Sequence, residues 1–452
     1  MELSPVGLLT DRYELTMLSS FVEDGTVRRQ AVFECFARRL PSGRRYGVVA
    51  GLGRLVELLD GLRFDEQTVG WLRDTRVVTP ATADYLRALR LDVDVDAYRE
   101  GELYFPGSPV LTVRGELGQA LILETLVLSV LNHDSAIASA AARMAVAARG
   151  RPLIEMGSRR AHERAAVANA RAAYLAGFDT TSNLAAGLAY GIPTVGTAAH
   201  AFTLAHRSEK DAFASQVSAH GPGTTLLVDT YDIEQGIRTA VEVAGPGLGA
   251  IRIDSGDLAE EARKARLLLD SLGATSTRIT VTSDLDEYLI AALADAPVDV
   301  YGVGSRVATG SGHPTAGMVY KLVAVADTDE PGATLRPVAK TAVGKVSLGG
   351  HKTAYRELTA DGRAVREVVV VDGSAELPPG VPWRPLQVPV LRSGSAVDQP
   401  TLAEVRAHHA LVRAELGAVA LEIADGHPAL TASAATTPTS VPPAPTESGV
   451  AG

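Results

Sequence analysis

The chain holds one cysteine, Cys35, in 452 residues. That excludes an intrachain disulfide framework and any cysteine-rich zinc site, and it fits a reducing cytosol. Cys35 alternates with apolar neighbours in AVFECF, the pattern of a buried strand residue rather than of a reactive thiol. Basic residues are also in deficit: 43 Lys and Arg against 53 Asp and Glu leave a formal charge of −10. Such a chain has no general affinity for nucleic acid, which calls for a net positive surface or stripe. It can still bind a small polyanion, provided basic groups and backbone amides converge in one cleft.

Long apolar runs are missing too. The most apolar stretch, ALILETLVLSVLNHD at 120–134, is broken by Glu124 and falls well short of the roughly 20 apolar residues of a membrane helix. It reads as a core helix, and no membrane partner is expected. The opening MELSPVGLLTDRYELTML lacks the basic flank and unbroken apolar core of a secretory signal, so a cytoplasmic location is the expectation.

What is present, 46% apolar and 21% charged residues, suffices for a substantial core in two or more domains. Residues 1–130 mix β-branched strands with amphipathic helical pieces such as GLGRLVELLDGL and read as an α+β domain. From 131 to 320 short strands (RPLIEMGS, GIPTVGT, TLLVDT, AIRIDSG, RITVTS, DVYGVGS) alternate with helical patterns, the sign of parallel βαβ units closing into a barrel or a large wound sheet. Residues 321–400 return to strands that could rejoin the first domain, 401–427 are helical, and the small, Pro-rich segment 428–452 reads as a disordered tail.

In a parallel βα array ligands sit at the carboxyl ends of the strands, and here those ends are polar one after another: MGSRR (156–160), GTAAH (196–200), DTYD (229–232), RIDSGD (252–257), TSDLDE (282–287) and GVGSR (302–306). A single Asp or Ser after a strand is more often a helix N-cap than a catalyst; the series is what carries weight. In DSGD, Asp254 and Asp257 flank the turn Ser255–Gly256 and suit Mg²⁺ or ribose hydroxyls, or else the start of a helix. Gly302, Gly304 and Ser305 offer backbone N–H groups to a phosphate, without Walker A spacing and without the placement of a dinucleotide fold. Arg159, Arg160 and Arg252 can anchor carboxylate or phosphate with the guanidinium fork. Arg252 lies in the apolar strand IRI and needs an anionic partner, from the protein or from a ligand. His200, among the small residues of GTAAHAF, is structural or functional on this reading alone.

As a set these motifs resemble the nicotinate phosphoribosyltransferase family: LLTDRYELTML at 8–18, FECFARRLP at 33–41, FPGSPVLTV at 105–113, LIEMGSRRAHERAAVANARAAYLAGFDTTSN at 153–183, GTAAHAF at 196–202, LLVDTYD at 226–232, IRIDSGDL at 251–258, and YGVGS with GMVYKLV at 301–323. The resemblance implies an irregular α/β barrel of the type II phosphoribosyltransferases with a second α/β domain built from the N-terminal region and post-barrel strands. It places a phosphohistidine on His200, nicotinate contacts on Tyr13, Thr197 and Arg252, and the 5-phosphate contact of phosphoribosyl pyrophosphate on Ser305. Around that phosphate Gly302, Gly304, Arg159, Ser255, Gly256 and Asp257 are expected to contact the sugar or its diphosphate. Asp254 and Asp229 are expected in catalysis, and Asp254 with Asp257 at Mg²⁺. ATP is the implied co-substrate, and a homodimer with shared sites the implied assembly.

Ser305 stands where the family commonly has threonine, Arg306 and His313 are unusual in their loop, and the Pro-Ala-Thr tail replaces a cysteine-rich extension of some relatives. Three rivals stand beside this reading. A quinolinate phosphoribosyltransferase is usually much shorter and needs no ATP histidine; a nicotinamide enzyme gives no reason for Arg252; a catalytically silent sensor gives none for the run of polar strand ends.

Overall fold

The computed structural model describes residues 5–340, 348–372 and 376–434. Strands between residues 153 and 303 pair into a six-stranded sheet in the order Thr180–Thr181, Leu153–Glu155, Val300–Val303, Arg278–Ser283, Ala250–Ile253, Thr225–Leu227. Every pairing in it is parallel. Helices Glu163–Leu175, Ile233–Ala244, Leu258–Ser271 and Glu287–Ala292 connect the strands. The strands are short, and alternate residues face the covering helices: Ile251, Ile253, Ile279 and Val281 are fully buried.

The array is an α/β half-barrel whose two edge strands, Thr180–Thr181 and Thr225–Leu227, do not pair with each other. GIPTVGT, expected as a strand, supplies only a single bridge, Thr194 to Thr181; its two glycines and proline weaken a ladder. Helix Glu209–His220 lies against that gap, and the space between holds a cavity of about 880 Å³ lined by small strand residues, among them Thr180, Thr225, Ala250 and Thr280.

A second sheet is antiparallel throughout and has seven strands in the order Leu335–Pro337, Met318–Ala326, Gln30–Ala37, Leu111–Glu116, Asp94–Tyr98, Gln387–Arg392, Ser395–Ala396. It draws strands from before and after the parallel array. Cys35 is fully buried in its central strand, and burial pushes its thiol pKa far up, so the thiol is inert.

A four-stranded sheet, Trp383–Pro385, Lys352–Leu358, Ala364–Val371 and Ala432–Ala434, packs beside it. The last of these strands falls inside the segment expected to be disordered from 428. Ala432–Ala434 pairs in parallel with Glu367–Val369, small side chains fitting against a valine-rich edge; the remainder of that segment, from 435, lies outside the described residues. Arg356, fully buried, ties this sheet to the rest by ion pairs to Glu102 at 2.6 Å and to Glu415, and it is braced within the sheet by Glu367 on the paired strand.

The apolar stretch from 120 forms the end of helix Leu117–Leu121 and the start of helix Glu124–Ala147, with about two thirds of its most apolar window buried. It is a core helix. It packs on helix Glu163–Leu175, and the two share one core through small side chains: Ala138, Ala141 and Ala142 on one, Ala172 and Ala173 on the other. Side chains this small let the two helix backbones approach closely.

Helix Leu402–Ala414 covers this unit and carries the buried His409, whose Nδ1–H donates to the Gly101 carbonyl at 2.9 Å. Burial pushes its pKa down to about 4. Because the unfolded chain takes up this proton near pH 6.5 and the folded one only near 4, stability from this group is complete above about pH 6.5 and falls as pH drops towards 4, by at most about 3 kcal/mol. Urea-unfolding midpoints measured from pH 7.5 to 4.5 should fall more steeply for the native protein than for His409→Gln, which keeps a donor without titrating; parallel curves would show that His409 does not contribute.

Candidate active site

The carboxyl ends of the parallel strands open on a cleft of about 230 Å³. Arg159, Arg160, Arg252, Asp254, Gly302, Gly304 and Ser305 line it, with Met156, Thr282, Ser283 and Asp284. They come from the ends of four neighbouring strands and the loops after them, so the βα alternation itself brings residues about 150 positions apart into one concavity. Gly302 is needed for close packing: a Cβ there would stand 2.5 Å from Thr282 Cγ2 and 2.9 Å from Met156 Sδ.

Arg252 is the most constrained group of the cleft. Its side chain is 12% exposed. Nε donates to Thr282 Oγ1 at 2.8 Å and Nη1 to Thr197 Oγ1 at 2.9 Å, while Nη2 lies 3.3 Å from Asp254 Oδ2. The anionic partner demanded by the strand position is therefore the protein's own Asp254. Thr282 closes the triangle by donating to Asp254 Oδ1 at 2.5 Å. One hydroxyl thus holds both a cation and an anion, and the guanidinium is fixed in plane before any ligand arrives.

A second carboxylate, Asp229, is buried beneath the rim. Its Oδ2 accepts from the Asp254 backbone N–H at 2.7 Å and from Ser255 Oγ at 2.8 Å, and its Oδ1 lies 3.0 Å from His200 Nε2. His200 opens the short helix His200–Leu204 and keeps 42% of its side chain exposed. With Nε2 facing a carboxylate, the neutral imidazole carries its proton there and presents Nδ1 as the free lone pair.

The cationic groups are unevenly paired. Arg159 and Arg160 are exposed and make no ion pair among the described residues. They face the Gly302–Ser305 loop across the cleft. A surface with two uncompensated guanidinium groups beside backbone N–H groups suits a polyanion, in a chain whose total charge is negative.

Three expected residues stand apart. Asp257 is the N-cap of helix Leu258–Ser271: its Oδ1 accepts from Ala259 and Glu260 N–H, both at 3.1 Å, and it does not line the cleft. Gly256 lies in the turn between Ser255 and that cap, likewise outside the lining. Tyr13, on helix Arg12–Glu23, is 46% exposed and has Glu124 and Glu14 as its charged neighbours; they and its partial burial raise its pKa. Arg306 is exposed, and His313 belongs to a separate small cavity with Arg44 and Tyr46, where burial and Arg44 lower its pKa.

No cluster of three or more His, Cys, Asp or Glu side chains suited to a metal occurs among the described residues. Asp254, 31% exposed, and the exposed Asp284 are the carboxylates that line the cleft. This donor set fits Mg²⁺ bound in its usual nucleotide manner, one carboxylate from the protein and the remaining oxygens from phosphates and water. Thr282 was not marked out by the sequence, although its alternation with Thr280 in RITVTS puts two hydroxyls on one face of a buried strand.

Residues 8–132 match the family model described as nicotinate phosphoribosyltransferase (NAPRTase) N-terminal domain. The chain is 55% identical over 436 residues to nicotinate phosphoribosyltransferase pncB1 of Mycobacterium tuberculosis, covering 94% of each. Its fold is similar to the crystal structure of human nicotinic acid phosphoribosyltransferase, with a TM-score of 0.79 and 28% identity over 94% of this chain and 97% of that one. It is also similar to nicotinate-nucleotide pyrophosphorylase from Pyrococcus furiosus, with a TM-score of 0.74 and 25% identity over 92% and 97%. Identity this high along nearly the full length, on a fold shared with the human protein, shows that the chain belongs to the nicotinate phosphoribosyltransferase family.

Proposed function

We propose that the protein joins nicotinate to 5-phosphoribosyl 1-pyrophosphate, giving nicotinate mononucleotide and pyrophosphate in the first step of NAD synthesis from nicotinate, and that ATP hydrolysis is coupled to this step through His200. The observation that carries the reading is Arg252, held by Thr282, Thr197 and Asp254 at the mouth of a cleft with two unpaired arginines. A rigid guanidinium recognises the carboxylate of nicotinate, which nicotinamide lacks, and Thr197 adds a hydroxyl beside it. The pyridine nitrogen already has its lone pair, so no base is required. It attacks C1 of the ribose as the C1–O bond breaks, and pyrophosphate leaves with the electron pair.

The chain's part in that step is position and charge. Arg159 meets the diphosphate; Gly302, Gly304 and Ser305 cradle the 5-phosphate; Ser255 and Gly256 approach the sugar. Asp257, committed to its helix start with one oxygen, keeps the other for a ribose hydroxyl. Bound Mg²⁺ would neutralise the diphosphate, with Asp254 as its protein ligand.

For the coupled step, Nδ1 of His200 attacks the γ-phosphorus of ATP and the bond to ADP breaks; water later attacks the phosphohistidine and releases phosphate. Asp229 is suited to stabilise the imidazolium character that develops at Nε2.

Tyr13 enters through assembly. It is exposed and outside its own cleft, while Leu184 and Leu188, 76% and 91% exposed, stand on the helix that follows Asn183 beside the arginine loop. An apolar rim of this kind calls for cover. A homodimer in which Tyr13 of one subunit stacks on nicotinate in the other accounts for both, and with the antiparallel sheet beside the half-barrel it makes up the two-domain architecture of type II phosphoribosyltransferases. The cytosol, where a reduced Cys35 persists, is the proposed location.

Purified protein with phosphoribosyl pyrophosphate, Mg²⁺ and ATP should turn over nicotinate and neither nicotinamide nor quinolinate; use of quinolinate with CO₂ release would overturn the reading. In that assay Arg252→Ala should raise the KM for nicotinate roughly 10- to 150-fold, the worth of a lost charge-assisted hydrogen bond, with the KM for phosphoribosyl pyrophosphate little changed. His200→Asn should keep ATP-independent synthesis and lose both ATP stimulation and acid-labile label from γ-labelled ATP; label that persists moves the phosphoryl group to another histidine. Mixed Tyr13→Ala and Arg252→Ala subunits, once exchange is demonstrated, should regain activity through hybrid sites, and no recovery would reject the shared site.

A further inference from the structure

Strand Leu153–Glu155 ends in a carboxylate where its pattern calls for an apolar residue. Leu153 and Glu155 share the face turned to the covering helices, at 1% and 0% exposure, while Ile154 faces the cavity inside the half-barrel. Burying a carboxylate is costly unless its oxygens are hydrogen-bonded, and Glu155 makes no ion pair among the described residues. Its compensation is entirely neutral. Oε1 accepts from the Gly157 backbone N–H at 2.5 Å, and Oε2 accepts from Thr181 Oγ1 at 2.6 Å.

These two bonds belong to a ring. Thr181 Oγ1 accepts in turn from the Asn183 backbone N–H at 3.0 Å, and Asn183 Nδ2 donates to Ser158 Oγ at 3.0 Å. The ring joins the ends of two adjacent strands and encloses the turn Gly157–Arg159. That turn is also seated from the far side, where Met156 N–H donates to the Val303 carbonyl at 2.8 Å. A Cβ at position 157 would stand 2.7 Å from Glu155 Oε1 and 2.9 Å from Ala308 Cβ, so the backbone is pressed onto the carboxylate. Out of this turn project Arg159 and Arg160, the two unpaired guanidinium groups of the cleft.

We propose that Glu155 is a positioning residue for the phosphoribosyl pyrophosphate site: its buried carboxylate, with Thr181 and Asn183, fixes the turn from which Arg159 and Arg160 reach the diphosphate. This rests on the reading of those arginines as diphosphate anchors. An arginine side chain has many rotamers, and a fixed root limits where its fork can go. Glu155 touches no substrate; it acts through the turn. Burial raises its pKa above the ordinary carboxylate range, in keeping with a group held by hydrogen bonds rather than by a cation. A glutamine in its place would keep the Gly157 bond through its amide oxygen and meet Thr181 Oγ1 with its amide N–H₂ in the reverse direction, the hydroxyl proton turning away.

The test is steady-state kinetics on the full chain, with each substrate varied against saturating levels of the other. Glu155→Ala should raise the KM for phosphoribosyl pyrophosphate about tenfold, the scale of a lost hydrogen bond to a charged group, and leave the KM for nicotinate within about twofold. Glu155→Gln should return to within about threefold of the native enzyme, and Thr181→Val, which removes only the hydroxyl, should shift the same KM in the same direction even if Glu155→Ala does not fold. In an Arg159→Ala, Arg160→Ala background, adding Thr181→Val or Glu155→Ala should change that KM by less than about twofold, as expected when the effects share one route. A raised KM in the arginine double variant with no change in Glu155→Ala and Thr181→Val overturns the role of Glu155 alone. An unchanged KM in the arginine double variant overturns the reading of the arginines, and the proposal with it. Equal losses of kcat with both KM values unmoved would reduce Glu155 to a packing residue.

Discussion

The catalytic face depends on one buried carboxylate shared by three segments. Asp229 takes a hydrogen bond from the His200 ring, another from the Asp254 backbone and a third from the Ser255 hydroxyl. Removing it would leave the Asp254 N–H unpaired at the bottom of the cleft, and a buried donor without an acceptor costs about 1–3 kcal/mol. The consequence reaches further than stability, because the same group decides which imidazole nitrogen of His200 carries a proton. The loop that carries Asp254 and Ser255 and the loop that carries His200 are thus registered on one pair of oxygen atoms.

A net charge of −10 and a cleft suited to a polyanion coexist because charge acts locally. Buried arginines of the chain are committed to carboxylates of the protein itself, as Arg356 is to Glu102 and Glu367 and Arg143 is to Glu287. Arg159 and Arg160 are spared. What marks the cleft is two exposed guanidinium groups placed opposite the backbone of Gly302–Ser305, a convergence that whole-chain counts do not display.

The parallel array was legible because its strands and helices follow one another with clear periods, and because polar strand ends are rare in series. Arg252, Asp254, Ser305 and the glycines before Ser305 all reach the cleft from those ends. Asp257 shows the limit of that reasoning: the same letter after a strand lines the cleft in one place and is a helix cap three residues on, and only the direction of its oxygens decides. GIPTVGT was apolar and short enough for a strand, yet with Thr194 as its single bridge it borders an open gap. Thr282 and Glu155 escaped notice for opposite reasons. A threonine in a strand is ordinary, so its double hydrogen bond is invisible in sequence; a glutamate after Leu-Ile is anomalous and could have been found by asking what a charge does on a buried face. Tyr13 lies exposed and outside the cleft of its own chain, a placement that the pattern of strand ends does not reach.

The alanine seam between helices Glu124–Ala147 and Glu163–Leu175 has a consequence for how the protein can change. Ala141 and Ala172 are fully buried, and overpacking at such a position typically costs about 1–3 kcal/mol. A residue one carbon smaller is glycine, which costs about 1 kcal/mol in a helix interior. Mutational drift at these positions is therefore blocked in both directions, unlike a leucine core, where isoleucine or methionine offers a nearby alternative. Diversification of the family's scaffold has to proceed around this pair of helices, through loops and outer faces, with the seam as a fixed axle.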